Sequence, residues 1–350
     1  MDTMKAYVLK KIGDISLCDV PIPQIKRDEV LVKVKAAGIC GSDIPRIYST
    51  GAHVHPIIPG HEFAGEVVDS FDNELVGKRV GIFPLIPCMQ CECCKKKTYE
   101  MCRNYSYLGS RCNGGFAEYV VVPKWNLLEL PENVSYREAA MLEPLAVAVH
   151  AVRKLTEGLS KNKSIAVWGL GTIGLMIVSV LKAEGFCNIV AIGKKENQRI
   201  LLEQIGVEGI LYLDDSQGFA NEEIIRIKNG RGVDAVFECV GRNETAESCI
   251  DITAPGGRVM LVGNPYSDMT FRKSVYWKIL RNELTVLGTW NSSYTGEEDD
   301  DWHYVLRLLI NKRINVDCFV SHALPFEDLV RGLHVMRDKT EDYVKIMIEE

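Results

Sequence analysis

The chain of 350 residues has no long hydrophobic run. No stretch of about 18 consecutive apolar residues occurs, which argues against a membrane-spanning helix. The first nine residues, MDTMKAYVL, lack the apolar region of a secretory signal. We therefore expect a cytoplasmic protein that has no membrane partner.

The chain also lacks an excess of basic residues. Lys and Arg number 41 against 47 Asp and Glu, and the formal net charge is -6. A nucleic-acid partner is not expected, because such binding relies on a basic surface. The sequence contains neither a low-complexity segment nor an internal repeat. Its 47% hydrophobic and 25% charged residues are ordinary for a soluble protein, and its length allows two domains.

Two kinds of periodicity divide the chain. Short β-rich runs fill the first third and indicate a small β domain, and a helical pattern over 136–153 is interrupted at Glu143-Pro144. Six strands separated by helices then predict an α/β fold with a doubly wound parallel sheet. After Gly288 one amphipathic helix is expected at about 300–312. We expect domains at 1–150 and 151–288, with 289–350 returning to the first. The early strands are expected at 5–10, 29–37, 64–68, 79–83 and 117–122, and the later ones at 165–168, 188–192, 210–213, 234–239, 257–262 and 283–287.

A glycine triple follows the first of the six strands. In the run Gly169-Leu-Gly171-Thr172-Ile173-Gly174, a buried strand leads into a helix. This context is typical of a dinucleotide site, where the first glycine makes the tight turn and the second lets backbone approach a pyrophosphate. The third allows close packing of helix on strand. The phosphates would bind the N–H groups at the start of the helix.

The tip of the second strand bears on the choice of coenzyme. An NAD enzyme normally presents an acidic residue there to the ribose 2'-hydroxyl. Here the strand ends in Gly193-Lys194-Lys195. Glycine leaves room for a 2'-phosphate that Lys194, Lys195 or Arg199 could neutralise, so the sequence favours NADP over NAD. Glu196 reaching back to the ribose is the alternative.

Four of the 12 cysteines have metal-ligand spacing. Cys88, Cys91, Cys94 and Cys102 form a C-x2-C-x2-C-x7-C pattern in which four thiolates can surround one zinc ion. A site with four protein ligands has no open position, so this zinc would be structural. Cys93 is off the spacing and is expected to point away. A zinc ribbon that binds nucleic acid would be the rival, but the acidic charge disfavours it.

A second, dispersed set of ligands is proposed from Cys40, His61 and Glu62. A thiolate, an imidazole and a carboxylate make a mixed three-ligand set of the kind that leaves zinc a position for water or substrate. Each residue alone has an ordinary structural explanation. The conjunction with a coenzyme motif favours a catalytic metal.

Several motifs together carry a family resemblance over essentially the whole chain. In order they are Cys40-Gly-Ser-Asp, Gly60-His-Glu, the four-cysteine lobe, Gly114-Gly-Phe-Ala-Glu-Tyr, Glu143-Pro and the glycine triple. The chain resembles the zinc-containing medium-chain dehydrogenases. Glu62 and Glu143-Pro144 make it most similar to the polyol branch, which includes sorbitol dehydrogenases.

The resemblance implies a GroES-like catalytic domain, a Rossmann domain and an active site in the cleft between them. It makes Cys40, His61 and Glu62 the catalytic zinc positions. Glu143 would be a further ligand or a partner of the bound water, and which glutamate binds zinc directly stays open. It also implies a homodimer or homotetramer with subunit contacts within 259–287. The coenzyme site would further include residues of two later loops: Val240, Gly241, Val262 and Gly263.

The expected reaction is the reversible oxidation of a secondary alcohol of a polyol or polyol phosphate, with hydride transfer to NAD(P). Ser42 is a candidate first station for the proton, but Arg46 stands near the place where relatives continue the relay with histidine. Candidate substrate contacts are Arg46 and Arg111, with His53 and Trp290 as weaker ones. The alternatives are an unphosphorylated sorbitol or L-iditol type of substrate, threonine, a simple alcohol, or a non-catalytic nucleotide-binding relative.

Overall fold

The computed structural model describes residues 2–206 and 210–350. The first stretch of the chain contains β1 (Thr3–Lys11), β2 (Asp14–Pro21), β3 (Glu29–Ile39), α1 (Asp43–Tyr48), β4 (Glu62–Ser70), β5 (Arg79–Ile82), β6 (Leu85–Ile86), α2 (Glu92–Lys95), β7 (Ser106–Tyr107), β8 (Tyr119–Pro123), β9 (Leu127–Glu129), α3 (Tyr136–Ala140) and α4 (Leu142–Thr156). The middle contains β10 (Ile165–Trp168), α5 (Thr172–Ala183), β11 (Ile189–Gly193), α6 (Glu196–Gln204), β12 (Ile210–Asp214), α7 (Ala220–Ile227), β13 (Val233–Glu238), α8 (Asn243–Ile252), β14 (Thr253–Leu261), α9 (Lys273–Arg281) and β15 (Thr285–Gly288). The last stretch contains α10 (Asp301–Ile310), β16 (Val320–Pro325), α11 (Leu329–Asp338) and β17 (Lys345–Glu349).

These elements form two units. Unit 1 comprises residues 2–146 with 292–350, and unit 2 comprises 147–291. The first division therefore falls inside α4, and the second falls shortly after β15. Nowhere in 2–206 or 210–350 is a helix both long and apolar enough for a membrane crossing.

Strand β3 organises unit 1. The sheet runs in the order β16-β17-β3-β4-β5-β9, and β8 also pairs with β3. The first half of β3 pairs with β8, whereas its last residues, Ala36–Ile39, pair with β17 from the end of the chain. The returning segment is therefore hydrogen-bonded to the strand that leads to Cys40.

An aromatic cluster fixes the start of the returning segment. The ring of Tyr294 lies 4.8 Å from that of Phe83 and 5.2 Å from that of Trp125. The hydroxyl of Tyr294 donates to the carbonyl of Leu127 at 2.7 Å. Buried Trp302 packs edge-on against Phe83 at 5.3 Å. Such aromatic contacts combine a large buried area with defined geometry.

One prediction about the helix after β9 is wrong in its detail. The interruption occurs at Met141, which ends α3 with φ -87 and ψ -2, and not at Glu143-Pro144. Pro144 lies in the first turn of α4, where no intrahelical partner for its missing N–H is needed. The proline therefore starts a helix, and Glu143 is placed beside it.

The described part of unit 2 forms a six-stranded parallel sheet in the order β12-β11-β10-β13-β14-β15. Its central strand β10 is buried along its whole length, as expected for a parallel sheet that helices cover on both faces. The predicted doubly wound fold is confirmed. The carboxyl ends of β10 and β13, where the chain order reverses, lie side by side in register.

Candidate active site and coenzyme site

Cys40, His61 and Glu62 converge where β3 ends and β4 begins. Cys40 follows the last residue of β3, and Glu62 is the first residue of β4. The antiparallel register sets Gly38 opposite Glu62, and a Cβ atom on Gly38 would collide with Oε2 of Glu62. The ligand atoms of the three residues all lie within 4.8 Å of one another. The sheet register thus brings together residues that are distant in sequence.

Buried Asp43 joins the members of this group. Its Oδ2 accepts the backbone N–H of Cys40 at 3.1 Å, and its Oδ1 lies 2.5 Å from Nη1 of Arg46 and 3.4 Å from Nδ1 of His61. Burial lowers the pKa of His61, but the charges of Asp43 and Cys40 outweigh burial and hold that pKa well above its usual value. The pocket therefore favours positive charge at the imidazole.

Lys345 brings a buried cation to the same place. Its Nζ lies 2.5 Å from Oε2 of Glu62 and 3.3 Å from the carbonyl oxygen of Ile39. The two side chains are only 3% and 1% exposed. Burial lowers the pKa of Lys345, but Glu62 and Cys40 outweigh burial and raise it. A metal that uses Glu62 must therefore share this carboxylate with an ammonium group.

Glu143 lies beside the group without belonging to it. The hydroxyl of Tyr107 donates to Oε1 of Glu143 at 3.1 Å, and the Tyr107 ring meets that of His61 edge-on at 5.8 Å. Burial raises the pKa of Glu143 to about 7; His61 opposes this rise and Glu62 adds to it. In the described chain the convergent set is Cys40, His61 and Glu62 alone. A ligand role for Glu143 stays a prediction.

The donor set fits zinc. Sulfur, imidazole nitrogen and carboxylate oxygen are the ligands zinc takes in proteins, and three of them leave a tetrahedral ion one open position. Nδ1 of His61 is buried and makes no hydrogen bond of good geometry, although Oδ1 of Asp43 lies 3.4 Å away. Buried polar atoms normally have one, so this imidazole is only partly satisfied by the protein.

Ser42 lies beside the sulfur of Cys40. Its hydroxyl donates to Sγ of Cys40 at 3.3 Å and accepts from Nη2 of Arg46 at 3.5 Å. Guanidinium is only a donor and does not lose its proton in proteins. Arg46 can therefore orient Ser42 but cannot carry a proton away from it.

A cavity of about 400 Å³ opens at this point. Partial burial, followed by the charges of Arg111 and Arg46, lowers the pKa of His53. The guanidinium of Arg111 stacks on the ring of Tyr105 at 4.5 Å. Two arginines therefore act on one rim residue of the cavity. Its lining consists of Ser42, Arg46, Thr50, Gly51, Ala52 and His53.

The four predicted cysteines form a second, separate group. Sγ of Cys94 lies 3.9 Å from Sγ of Cys88 and 3.5 Å from that of Cys91, and Sγ of Cys91 lies 3.9 Å from that of Cys102. A tetrahedral site with Zn–S bonds of 2.3 Å requires sulfur atoms about 3.8 Å apart. The arrangement therefore matches a tetrahedral zinc site. Cys93 lies outside the group.

The glycine triple has the geometry of a dinucleotide turn. Gly169 has φ +97, and a Cβ atom there would collide with the side chain of Val240. A Cβ on Gly174 would collide with the carbonyl oxygen of Gly169, whereas Gly171 faces open space. Helix α5 begins at Thr172, directly after this opening. The middle glycine is thus the one that leaves backbone accessible to a ligand.

The loops after β13 and β14 pack next to this turn. Gly241 has φ +82, and a Cβ on Gly263 would collide with the backbone nitrogen of Gly241. The N–H groups of Val240 and Gly241 both donate to Oε1 of Glu238 at 2.9 Å. The N–H of Val262 donates to the backbone carbonyl oxygen of Glu238, also at 2.9 Å. One buried glutamate therefore fixes both loops.

The tip of β11 carries no acidic side chain. Gly193 is the last residue of β11, and Lys194 and Lys195 follow it. Nζ of Lys194 lies 3.6 Å from Oδ2 of Asp215. Nε of Arg199 lies 2.9 Å from Oε1 of Glu196.

Arg199 also makes an ion pair with Glu203. Its charge is therefore shared with two carboxylates. The same contacts hold Glu196, which was the alternative partner for a ribose hydroxyl.

Trp290, another substrate candidate, follows β15 in unit 2 and is 55% exposed. The other substrate candidates, Arg46, His53 and Arg111, all belong to unit 1. A substrate role for Trp290 stays a prediction.

Comparison with known proteins adds two family matches. The alcohol dehydrogenase GroES-like domain matches residues 26–132, and the zinc-binding dehydrogenase family matches residues 172–311. Galactitol 1-phosphate 5-dehydrogenase of Escherichia coli K12 is 33% identical over 94% of this chain and 95% of its own length. The chain belongs to the zinc-binding medium-chain alcohol and polyol dehydrogenase family.

Other members of the family show how far the likeness extends. L-threonine 3-dehydrogenase of Bacillus licheniformis is also 33% identical, over 96% of this chain and 97% of its own length. A zinc-binding dehydrogenase from Sinorhizobium meliloti 1021, whose crystal structure contains NADP, is 29% identical. The two structures superpose with a TM-score of 0.90, and the match covers 100% of each chain. Equal identity to enzymes named for different substrates means that identity alone does not fix the substrate.

The sequence analysis assigned no role to three residues that contact the candidate metal-ligating side chains of this dehydrogenase. Asp43, Tyr107 and Lys345 all contact the candidate ligands or their neighbours. A lysine at the head of the apolar run Lys-Ile-Met-Ile was a usable signal, because a charged residue rarely begins a buried strand without a partner. Asp43 stands three residues after Cys40 in the Cys40-Gly-Ser-Asp motif, so its contact with the Cys40 N–H is local, whereas no spacing rule links Tyr107 to Glu143.

Proposed function

We propose that this dehydrogenase oxidises a secondary alcohol of a polyol phosphate, with galactitol 1-phosphate to tagatose 6-phosphate as the leading candidate. The observation that carries the proposal is the three-ligand group of Cys40, His61 and Glu62 beside a cavity with arginine at its rim. Unlike the four-cysteine group, a three-ligand site leaves a coordination position for the alcohol.

The chain's own residues would hold zinc through Cys40, His61 and Glu62. Zinc in such a site supplies a Lewis acid that favours the alkoxide form of a bound alcohol. Asp43 keeps Cys40 and His61 in place, and Ser42 is within hydrogen-bond distance of the same sulfur. We assign Ser42 the role of first proton acceptor: its hydroxyl takes the proton of the alcohol as it passes its own proton to solvent in the cavity that it lines.

The cavity that Ser42 and Arg46 line supports a phosphorylated substrate. Arg46 uses one N–H of Nη1 for Asp43 and one of Nη2 for Ser42, and its planar fork retains further N–H donors for phosphate oxygens. Arg111 lies close enough to depress the pKa of His53. Two guanidinium groups match the charge and the donors that a phosphate monoester requires.

Competing substrates are sorbitol, L-iditol, L-threonine and simple alcohols. The test is kcat/KM for galactitol 1-phosphate, these alternatives and ribitol phosphate, on the wild type and on Arg46→Ala. We expect the substitution to raise KM for the phosphorylated polyol by at least about tenfold, the worth of one charge-assisted contact. An equal effect on the unphosphorylated polyols sorbitol and L-iditol would remove the phosphate role of Arg46. Turnover of L-threonine alone would replace the proposed substrate.

For the coenzyme we propose NADP. The acid-free tip at Gly193 and the two following lysines support it, as does the NADP in the crystal structure of the Sinorhizobium relative. Comparison of kcat/KM for the two coenzymes is the test. A strong preference for NAD would overturn the proposal.

We also propose a homodimer or homotetramer. Within the described residues β15 pairs with β14 alone, so it forms an edge of the parallel sheet. The neighbouring α9 exposes Tyr276, Trp277 and Leu280. An unpaired edge beside large exposed apolar side chains suits a second copy of the chain. Light scattering on the wild type and on Trp277→Glu tests this, and a monomeric wild type would contradict it.

A further inference from the structure

Gln198, in the first turn of α6, joins two parts of the coenzyme site. Its Oε1 accepts the backbone N–H groups of Lys194 at 2.9 Å and Lys195 at 3.1 Å. Its Nε2 donates to the carbonyl oxygen of Leu170 at 2.8 Å. Leu170 lies between the first two glycines of the dinucleotide turn. One side-chain amide therefore ties the turn after β11 to the glycine-rich loop.

The same amide crowds Gly193. A Cβ atom at this position would lie 2.5 Å from Oε1 of Gln198, 3.0 Å from Cδ1 of Leu170 and 3.1 Å from Cε2 of Tyr212. The φ of Gly193 is outside the left-handed region, so the backbone conformation would accept another residue. Three hydrogen bonds hold the Gln198 amide in this place, so a larger residue at position 193 would have to displace a side chain that is fixed.

This crowding affects recognition of the adenosine ribose. In a dinucleotide fold an acidic side chain near this tip binds the ribose 2'-hydroxyl, whereas a cationic group accommodates a 2'-phosphate. A side chain on residue 193 would have to enter the space that the end of the Gln198 side chain already fills, since its Cβ atom would lie 2.5 Å from Oε1. The N–H groups of Lys194 and Lys195 are already bonded to Gln198. Anion binding at this turn is therefore left to the lysine side chains.

We propose that Gln198 is a positioning residue for coenzyme selection. It fixes the turn of Gly193, Lys194 and Lys195 in the form that suits a 2'-phosphate, and it blocks the acidic side chain that would suit a free 2'-hydroxyl. The inference rests on the proposed NADP site at the carboxyl end of β11. It goes beyond that proposal by making the preference depend on a pair, Gly193 with Gln198.

The test is a double-mutant cycle read out by coenzyme binding. Dissociation constants for NADPH and NADH are measured by fluorescence titration on the wild type, Gly193→Asp, Gln198→Ala and the double variant. Gly193→Asp alone should weaken NADPH at least about tenfold, by repulsion of the phosphate, without strengthening NADH. In the double variant NADH should bind about tenfold more tightly than in Gly193→Asp, because the carboxylate can then reach the ribose.

Two controls separate positioning from general damage. Gln204→Ala changes an exposed glutamine at the other end of α6 and, combined with Gly193→Asp, should not strengthen NADH. Gln198→Met keeps most of the bulk without the hydrogen bonds, so Gly193→Asp with Gln198→Met should also fail to strengthen NADH. Thermal unfolding of each variant shows whether it is folded. A merely structural role of Gln198 would weaken both coenzymes by the same factor.

Additive effects in the cycle, or a gain in NADH affinity from Gly193→Asp alone, would overturn the inference. Because binding is measured without an alcohol substrate, a wrong choice of polyol leaves the result unaffected. A wild type that binds NADH more tightly than NADPH would overturn the NADP proposal, while the cycle would still decide the role of Gln198. A wild type that binds neither coenzyme would overturn both.

Discussion

Two candidate metal sites lie in unit 1, and they are built in opposite ways. Cys88, Cys91, Cys94 and Cys102 come from one loop, and their sulfur atoms are arranged by that loop alone. Cys40, His61 and Glu62 come from the ends of two strands, and their approach depends on the register of β3 with β4. A loop can encode a closed site locally, whereas a site with an open position is assembled by the sheet.

Their electrostatic surroundings differ as well. Around the four thiols the balancing groups are backbone N–H donors, which lower the pKa of Cys91 to about 6. Around the three-ligand group they are charged side chains: buried Lys345, partly buried Arg46 and the buried acid Asp43. We therefore expect changes at the first site to appear in stability and changes at the second to appear in chemistry.

The largest effect is expected from Cys40→Ala. Loss of one of three ligands should release the catalytic metal and lower kcat/KM by at least about 1,000-fold, because Lewis-acid stabilisation is worth several kcal/mol. Metal analysis should fall from two zinc ions to one per chain, as the two ligand groups predict. The midpoint of thermal unfolding should change little compared with that of the same substitution at exposed Cys187. If Cys40→Ala kept both zinc ions, the contrast drawn between the two metal sites would be wrong.

Cys94→Ser should have the opposite signature. Loss of a structural zinc is a loss of folding free energy, and about 3 kcal/mol would lower the unfolding midpoint by roughly 6–12 °C in a domain of this size. One zinc and most of the turnover should remain. Cys93→Ser is the matched control, since Cys93 neighbours the site without joining it. If Cys94→Ser stayed folded but lost turnover in proportion to its loss of zinc, the four-cysteine group would not be purely structural.

Lys345→Met tests the shared carboxylate. The ammonium at 2.5 Å from Glu62 competes with a metal for that side chain. Its removal should leave the metal-free protein about 3–5 kcal/mol less stable, because a buried charge loses its partner. Zinc affinity, measured by competition with a chelator, should rise about tenfold, since the metal would then neutralise Glu62.

Lys35→Met is the control for that substitution. Lys35 pairs with Glu350 at the surface, where an ion pair contributes little. Neither zinc affinity nor stability should move appreciably. Weaker zinc binding in Lys345→Met would mean that the lysine supports the metal site instead of competing with it.

The contrast also explains how much of the molecule the sequence predicts. The six strands of unit 2 follow from buried apolar runs, and the four cysteines follow from spacing, because both are local patterns. The contacts of Lys345 with Glu62 and of Gln198 with Leu170 join residues far apart in the chain. The pairing of β17 with β3 brings Lys345 to Glu62, and the pairing of β10 with β11 brings Gln198 to Leu170. The helix interruption was misplaced because proline breaks a helix only beyond its first turn.

The smallest effect is expected from Ser42→Ala. The hydroxyl donates to Sγ of Cys40 at 3.3 Å and is approached by Arg46 at 3.5 Å, so it borders the open site without being a ligand. If Ser42 accepts the proton of the alcohol, kcat should fall about tenfold or more, whereas zinc content and the coenzyme dissociation constant should stay unchanged. Ser42→Thr keeps the hydroxyl and should retain most of the rate. A loss of zinc in Ser42→Ala would instead show that the hydroxyl supports the ligand sulfur. An unchanged kcat would show that the proton leaves by another route, for which the hydrogen-bonded pair of Tyr107 and Glu143 is a candidate.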